Sequence, residues 1–266
     1  MAEPVGTSAR DVETAPAGLD AAPLSRRDRV RAETFREIKQ AARQVLVDQG
    51  VDGLALRAVA REMGLTAPAL YRYFDSREDL VEHVVADLYG ELTDVLESAR
   101  DAARPATPGV QLLETSRAFR AWATTHRAEF GLLFGNAAER VLDPTDLHGY
   151  GDRPAQLAGQ RFGGVFAELV ARVYMERGFP VPAEDELDPA LKEQLRTWCA
   201  ALAVSLPLGV LSVFLSCWIR LYGMVCMEVF GHLRFALDDA QPMFEAELRS
   251  LGDMLGVGDE YRPPPS

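Results

Sequence analysis

Apolar residues recur at helical spacing along most of the chain. Between Phe35 and Leu46, and again between Leu80 and Leu96, they fall three or four residues apart, so each segment has one apolar face. We predict further helices of this kind at 110–134, 159–178, 189–205, 207–235 and 240–256. No segment shows the sustained alternation that is typical of strands. The pattern therefore predicts an all-α protein.

The most specific segment is Leu56–Leu80, in which two short helical patterns are separated by a glycine. Gly64 lies where the first helix must stop and the chain must take a conformation that glycine tolerates. Thr66 can cap the next helix, and Pro68 falls in its first turn, where the missing N–H does no harm. Two helices joined this tightly predict a helix-turn-helix, whose second helix enters the major groove of DNA.

Two further helices flank this motif. The preceding helix ends near Gly50, and Ser76 can cap a long helix over 77–103. Asp79 follows Ser76 by three residues, close to the spacing of a capping box. A three-helix head mounted on a long connecting helix is the arrangement that these signals predict.

The stretch GLALRAVAREMGLTAPALYRYFDSREDL, Gly53–Leu80, resembles the head of the TetR family of transcriptional regulators. The resemblance is strong over residues 34–89. A second segment, WIRLYGMVCMEVFGH at Trp218–His232, is similar to the C-terminal region of one TetR-like subgroup, with a Trp, a Gly and a Gly-His at similar spacing. The resemblance implies a DNA-binding domain over 25–76 and a larger helical ligand-binding and dimerisation domain over 77–256.

Residues of the predicted recognition helix are the candidates for DNA contact. The resemblance places Tyr71 and Tyr73 at contact positions and Arg77 at a phosphate-contacting one. Ala and Pro side chains can contact thymine methyl groups, and tyrosine hydroxyls can bond phosphate. Packing within the head is the alternative for the two tyrosines, and an ordinary surface role is the alternative for Arg57. The predicted DNA-binding residues are Arg57, Thr66, Ala67, Pro68, Ala69, Tyr71, Tyr73 and Arg77.

Charge is distributed unevenly along the chain. The formal net charge is −12, of which residues 26–80 carry +2 and the remainder −14. A mildly positive head on an acidic body suits a protein that touches DNA at one end. Arg26, Arg27, Arg29 and Arg31 precede the first helix. They can contact phosphate or reach the minor groove, although a solvated helix start explains them equally well.

The chain offers few signs of other chemistry. Residues 1–24 have neither an apolar period nor a signal-peptide pattern, so we expect a disordered tail there, and a second tail at 257–266. The three cysteines lack CxxC spacing and are typical of reduced core residues in a cytoplasmic protein. The histidines form no defensible metal site. Without a nucleophile motif or a phosphate loop, we predict no enzyme, no cofactor and no metal.

The uncharged stretch Thr197–Ile219 allows two interpretations. It is long enough to cross a bilayer, but Pro207 and Gly209 divide it and no basic flank sets a topology. We expect a helix buried between neighbours or at a subunit interface, and no membrane. A membrane-tethered DNA-binding protein is the alternative.

Aromatic residues recur at helical spacing in the predicted body. Each alone is most simply a core residue, but together they can line a cavity, which TetR-like proteins generally carry. The candidates are Phe119, Trp122, Phe130, Phe134, Phe166, Trp198 and Trp218. Arg220 is the main cation of the apolar C-terminal stretch, so at most one acidic group on a ligand would be matched there.

These features together predict a ligand-responsive transcriptional repressor. It would bind a palindromic operator in double-stranded DNA as a homodimer and be released by a small apolar or amphipathic effector. A constitutive architectural or activator protein with a filled core is a further alternative, which the absence of ligand-dependent release would distinguish.

Overall fold

The computed structural model describes residues 25–135, 152–202 and 206–264. Within these ranges the chain forms ten α-helices and a short 3₁₀ turn at Gly258–Glu260, with no strand. The helices are α1 (Arg26–Gly53), α2 (Leu56–Glu62), α3 (Ala67–Leu70), α4 (Arg77–Ala102), α5 (Pro108–Thr125), α6 (Arg127–Phe134), α7 (Pro154–Arg177), α8 (Pro189–Leu202), α9 (Leu208–Val229) and α10 (Gln241–Met254). The all-α class is confirmed. The predicted tail at 1–24 lies outside the described residues.

Glycines in the left-handed region set the turns of the head. Gly50 (φ 70°) interrupts α1 where the sequence predicts its end, and one more helical turn follows. Gly64 (φ 65°) makes the turn between α2 and α3, as predicted. Pro68 lies in the first turn of α3, and Thr66 precedes it in an extended conformation. The expected capping bond from the Thr66 hydroxyl is not formed.

Side chains cap the start of the long connecting helix α4. Ser76 Oγ accepts a hydrogen bond from the Asp79 backbone N at 3.1 Å. In return, Asp79 Oδ2 accepts from the backbone N of Asp75, rather than of Ser76, at 2.9 Å. This pair of bonds resembles a capping box and satisfies two backbone N–H groups at the start of the helix. The helix α4 begins at Arg77, as predicted.

One hydrophobic core runs from the head into the body. Phe74 is fully buried and stacks on Phe35 of α1, with 4.7 Å between ring centroids. The same core includes Ile38 near the start of the chain and Val257 near its end. The helix α4 packs against α5 and α7, and α1 packs against α4 and α6. The head is therefore continuous with the body through shared apolar contacts.

Three predicted boundaries differ from the structure. The helix predicted over 110–134 is two helices, because His126 (φ −114°, ψ 55°) breaks the pattern after Thr125. The helix predicted to reach residue 235 ends at Val229, where Gly231 (φ 75°) turns the chain and the His232 N–H donates to the Met227 carbonyl. The helix α7 begins at Pro154, five residues before the predicted start.

The prediction of a loose tail from residue 257 is also wrong in its first part. Val257 is buried in the core, and residues 258–260 form the 3₁₀ turn that packs on α10. Tyr261 donates its hydroxyl proton to Glu245. These tertiary partners order the segment, although its local sequence carries no helical period.

The helix α9 is long and apolar enough to cross a membrane by length and composition, with a mean hydropathy of 1.7. In the structure it packs on the body core through Val210, Phe214 and Leu221. Its other side carries a smaller cluster in which Leu211 meets Leu187 and Leu195 of the α8 region. Only 39% of its most apolar 18 residues are buried within the chain, so the buried helix expected from the sequence is realised on part of its surface.

Candidate nucleic-acid interface and apolar cavity

The end of the head formed by α2 and α3 presents most of the predicted contact residues to solvent. Arg57, Thr66 and Pro68 are exposed, while Ala67 and Ala69 are half-buried. Tyr71 follows the end of α3 as its C-cap residue, rather than lying on the predicted recognition helix, and is 53% exposed. Its ring adds little to the core here, so this surface is available for contact with a partner.

Tyr73 packs within the head, the alternative considered from the sequence, and keeps part of its side chain at the surface. It is half-buried and packs against the core, while the Arg31 guanidinium lies 5.8 Å from its ring centroid. Arg26, Arg27 and Arg29 are exposed in the first turn of α1. The sequence placed these arginines before the first helix, whereas they lie on it. Arg31 thus brings one cation against Tyr73, and three more exposed cations lie at the start of the same helix.

Arg77 has an internal task that the sequence did not indicate. Its Nε donates to the Leu54 carbonyl and its Nη2 to the Val51 carbonyl, both at 2.6 Å. Both acceptors lie at the turn between α1 and α2. The side chain therefore fastens the start of α4 to this turn, and only its remaining nitrogen is available for a phosphate.

A charged cluster joins the head to the body. Arg43 of α1 donates from Nη1 to Glu91 of α4 at 2.5 Å and from Nε to Glu129 of α6 at 3.0 Å. Trp122 Nε1 donates to Glu91 at 3.1 Å. Burial opposes ionisation of Glu91, but the hydrogen bonds from Arg43 and Trp122 outweigh it and lower the pKa of this carboxyl. Sequence reasoning missed this cluster, because its members are far apart along the chain.

An apolar cavity of about 40 Å³ lies between α5, α7, α9 and α10. Of the predicted pocket residues, Phe166 and Trp218 line it. Few of its lining side chains are polar. The Ser116 hydroxyl donates to the Leu112 carbonyl. Burial raises the pKa of the Cys217 thiol to about 11. The lining of the cavity is thus mostly apolar and carries no charged side chain.

The other five predicted pocket aromatics do not line this cavity. They pack elsewhere, because the helical spacing that predicted a cavity is also the spacing of a packed core. Phe119, Phe130 and Phe134 form an aromatic cluster beside the cavity, with centroids 4.8 to 6.1 Å apart. Trp122 belongs to the Arg43 cluster, and Trp198 stacks on Phe214 at 5.7 Å.

Arg220 also departs from its expected place. Its Nε donates to Glu247 at 2.6 Å and its Nη2 to Ser250 at 2.9 Å, outside the cavity lining. The cation that could have matched an acidic ligand is therefore already paired. Among the described residues, no group of three or more His, Cys, Asp and Glu side chains could hold a metal ion.

Comparison with known proteins agrees with this geometry. Residues 38–84 match the model of bacterial regulatory proteins of the tetR family, and residues 112–251 match that of the tetracyclin repressor-like C-terminal domain. The latter alone covers more than half of the chain. The protein belongs to the TetR family. It is a transcriptional regulator with a helix-turn-helix DNA-binding domain.

Relatives extend over nearly the whole chain. The HTH-type transcriptional regulator Rv1816 of Mycobacterium tuberculosis is 29% identical over 244 residues, covering 86% of this chain and 95% of its own. The crystal structure of the regulatory protein SCO4313 has a TM-score of 0.65 at 29% identity, over 85% of this chain and 98% of that one. The HTH-type transcriptional repressor KstR2 of Mycolicibacterium smegmatis is 32% identical over 81 residues, covering 29% of this chain and 36% of its own. These relatives are regulators and not enzymes.

Proposed function

We propose that this TetR-family protein is a ligand-responsive repressor that acts as a cytoplasmic homodimer on a palindromic operator. The observation that carries the proposal is the position of α4, which begins at the head and packs against α5 and α7, two walls of the apolar cavity. A change in the cavity that moves these walls is thereby passed to the head. The repressor role draws further support from the partial likeness to the repressor KstR2.

The exposed end of α2 and α3 is the surface proposed to enter the major groove. Tyr71 and Arg57 are free to reach bases or phosphates, with Thr66 and Pro68 beside them. Tyr73 and the arginines at the start of α1 would bond the flanking phosphates. Arg77 is assigned mainly to positioning these elements, since its guanidinium already holds two carbonyls.

The lining of the cavity defines the chemical class of the effector. A charged group placed there would lose its hydration without gaining a partner, which is strongly unfavourable. The effector is therefore expected to be small, uncharged and largely apolar. The cavity volume of about 40 Å³ holds only a few atoms, so the effector must bind to an expanded form of the body. Such binding shifts the population toward that form.

Coupling to DNA follows from the contacts of the head. The Arg43 cluster ties α1 to both α4 and α6, so the head cannot keep its position if these helices move apart. An effector that favours the expanded body then lowers DNA affinity. Linkage requires the reverse as well, so bound DNA must lower the affinity for the effector by the same factor.

The DNA interface can be tested with duplexes selected by the wild-type protein from a random-sequence pool. We expect Arg57→Ala and Tyr71→Ala to weaken binding, by on the order of 1–3 kcal/mol for each contact that reads a base. Arg196→Ala, on the exposed side of α8 and paired with Glu184, is the control and should bind as the wild type does. Unchanged affinity in both head variants would overturn the interface.

The effector proposal needs a separate measurement. Fluorescence anisotropy of labelled operator would be followed while neutral aromatic and aliphatic compounds are added. We expect at least one class to release the DNA, and Val170→Phe, which fills the cavity from α7, to abolish release while retaining DNA binding. If Val170→Phe remained as responsive as the wild type, this cavity would not be the effector site. A wild type insensitive to the whole panel would favour the constitutive alternative.

A further inference from the structure

One wall of the apolar cavity is completed by a short segment that follows the last α-helix, residues 256–262, called here the strap. Gly256 (φ 67°) turns the chain away from the end of α10, and Val257 then enters the cavity wall with 1% of its surface exposed. Apart from Leu255 at the end of α10, the other described lining residues lie on α5, α7, α9 and α10. The strap is therefore the one part of this described wall that is not a long helix.

Arg177 at the end of α7 fastens the strap from one side. Its Nη1 donates to the Gly256 carbonyl at 2.9 Å and to Asp259 at 2.8 Å. Its Nη2 lies 2.8 Å from a carboxylate oxygen of Glu260. The other oxygen of Glu260 accepts from the Thr107 hydroxyl at 2.6 Å.

Arg117 of α5 fastens the far end. Its Nη2 donates to the Arg262 carbonyl at 2.8 Å, and its guanidinium lies 5.4 Å from the Tyr261 ring centroid. The strap docks closely, because a Cβ at Gly109 would lie 2.7 Å from Val257 Cγ1. It is thus held mainly by polar bonds, and Val257 is its apolar anchor.

We propose that the strap is the gate of the cavity, which pivots at Gly256 to admit a ligand and closes through the Arg177 and Arg117 bonds. The proposal rests on the proposed function of the cavity as an effector site. The helices of the wall are held by extensive core contacts. The strap is held by one buried apolar side chain, Val257, and by ion pairs, of which the exposed Arg177–Asp259 pair contributes little. Local opening follows the least stable segment, and in this wall that segment is the strap.

Cys217 offers a direct probe of the gate, because its buried thiol lines the cavity. In a Cys199→Ser, Cys226→Ser background it is the single cysteine. Methyl methanethiosulfonate, a small neutral reagent, would be added to the native protein and labelling followed by mass spectrometry. We expect Arg177→Met to raise the labelling rate by roughly two- to fivefold. Added salt should also raise the labelling rate of the parent protein, and it should raise the rate of Arg177→Met much less.

Matched variants separate gating from general loosening. Asp259→Asn with Glu260→Gln removes the charge of both ion pairs from the strap side, while the bond from Arg177 to the Gly256 carbonyl stays, and should raise the rate in the same direction as Arg177→Met. Arg161→Met removes ion pairs to Asp94 and Glu97 from the same helix, away from the strap, and should leave the rate unchanged.

The gate is overturned if labelling is unchanged in both strap variants, or if it rises only in proportion to global unfolding measured by urea titration. Labelling requires no effector. Its result therefore stands independently of whether the cavity proves to be the effector site.

Discussion

At the scale of single residues, arginine side chains join groups that lie far apart in the sequence. Arg77 bonds carbonyls 23 and 26 residues earlier, and Arg117 bonds Glu245, 128 residues later. A sequence gives the type of each residue and its helical face, but these partners depend on tertiary packing. The exposed candidates Arg57 and Tyr71 were predictable for the opposite reason, since the motif itself sets their exposure.

Arg77→Ala should destabilise the protein by about 1–3 kcal/mol, because two carbonyls at the α1–α2 turn lose a charged donor. Urea denaturation monitored by circular dichroism measures this change. Arg72→Ala, an exposed neighbour, is the control and should stay within about 0.5 kcal/mol of the wild type. A variant at Arg77 that loses DNA affinity but keeps full stability would instead indicate a direct phosphate contact.

Low pH should lower the stability of the fold by protonating Glu245, which accepts a hydrogen bond from Tyr261 of the strap. Burial opposes ionisation of this carboxyl, but hydrogen bonds from Arg117 and Tyr261 outweigh it and lower its pKa below the ordinary 4.5. A lowered pKa in the folded state contributes stability above the unfolded value, and this contribution is lost as pH falls through the folded value.

The free energy of unfolding should therefore decline below about pH 5. We expect Glu245→Gln to show a shallower decline than the wild type over the same interval, measured by urea titration at several pH values. Equal slopes in the two proteins would show that Glu245 titrates alike in the folded and unfolded states.

At the scale of elements, local signals predicted the helix boundaries of the head well and several boundaries of the body poorly. Ser76 and Gly64 act through their own conformations, so the sequence was enough there. The break at His126 carries no glycine or proline signal. Its ring stacks on Trp122 one turn earlier at 5.0 Å, and its Nε2 lies 3.9 Å from Glu91 of α4, a tertiary contact that the sequence does not reveal. The strap was missed for a similar reason: its order comes from Arg117 and Arg177 on other helices.

The Arg43 cluster gives a prediction about how α1, α4 and α6 hold together. Arg43→Met leaves Glu129, which is 6% exposed, without its cation and should cost about 1–3 kcal/mol. Adding Glu129→Gln should recover part of the loss, as double-mutant cycles measure. Lys39→Met breaks the pair with the exposed Asp87 and should cost less than about 1 kcal/mol. Equal losses in Arg43→Met and Lys39→Met would argue against a special role for the cluster.

At the scale of the whole molecule, the net positive charge lies in the head and the apolar cavity lies in the body. The segment 26–80 carries +2 and the rest −14, so the electrostatic field favours approach of DNA to the head. The cavity lies in the body, and its position between four helices could not be read from residue types. Aromatic spacing predicted an apolar body correctly, but only tertiary packing decides which rings leave a space between them.

Exposed apolar residues on α9 suggest where two copies meet. Ile219, Met227 and Phe230 are exposed and recur at helical spacing, and Gly223 between them would let another backbone approach, since no atom lies within 4 Å of a Cβ built there. Such a stripe is larger than the isolated apolar residues that a monomer ordinarily exposes. Met243 is likewise exposed on α10, which packs against α9, and we propose that these two helices form the dimer interface.

Ile219→Arg should therefore convert the dimer to monomer in sedimentation velocity at micromolar protein. Binding to a palindromic operator should fall with it, because one head alone cannot hold two half-sites about 34–36 Å apart. Ile219 is 60% exposed, and Met175 on α7 is 73% exposed, so Met175→Arg places the same charge on a comparable surface outside the proposed interface. The control should remain dimeric and bind DNA. A dimer that survives Ile219→Arg but dissociates with Met175→Arg would move the interface to α7.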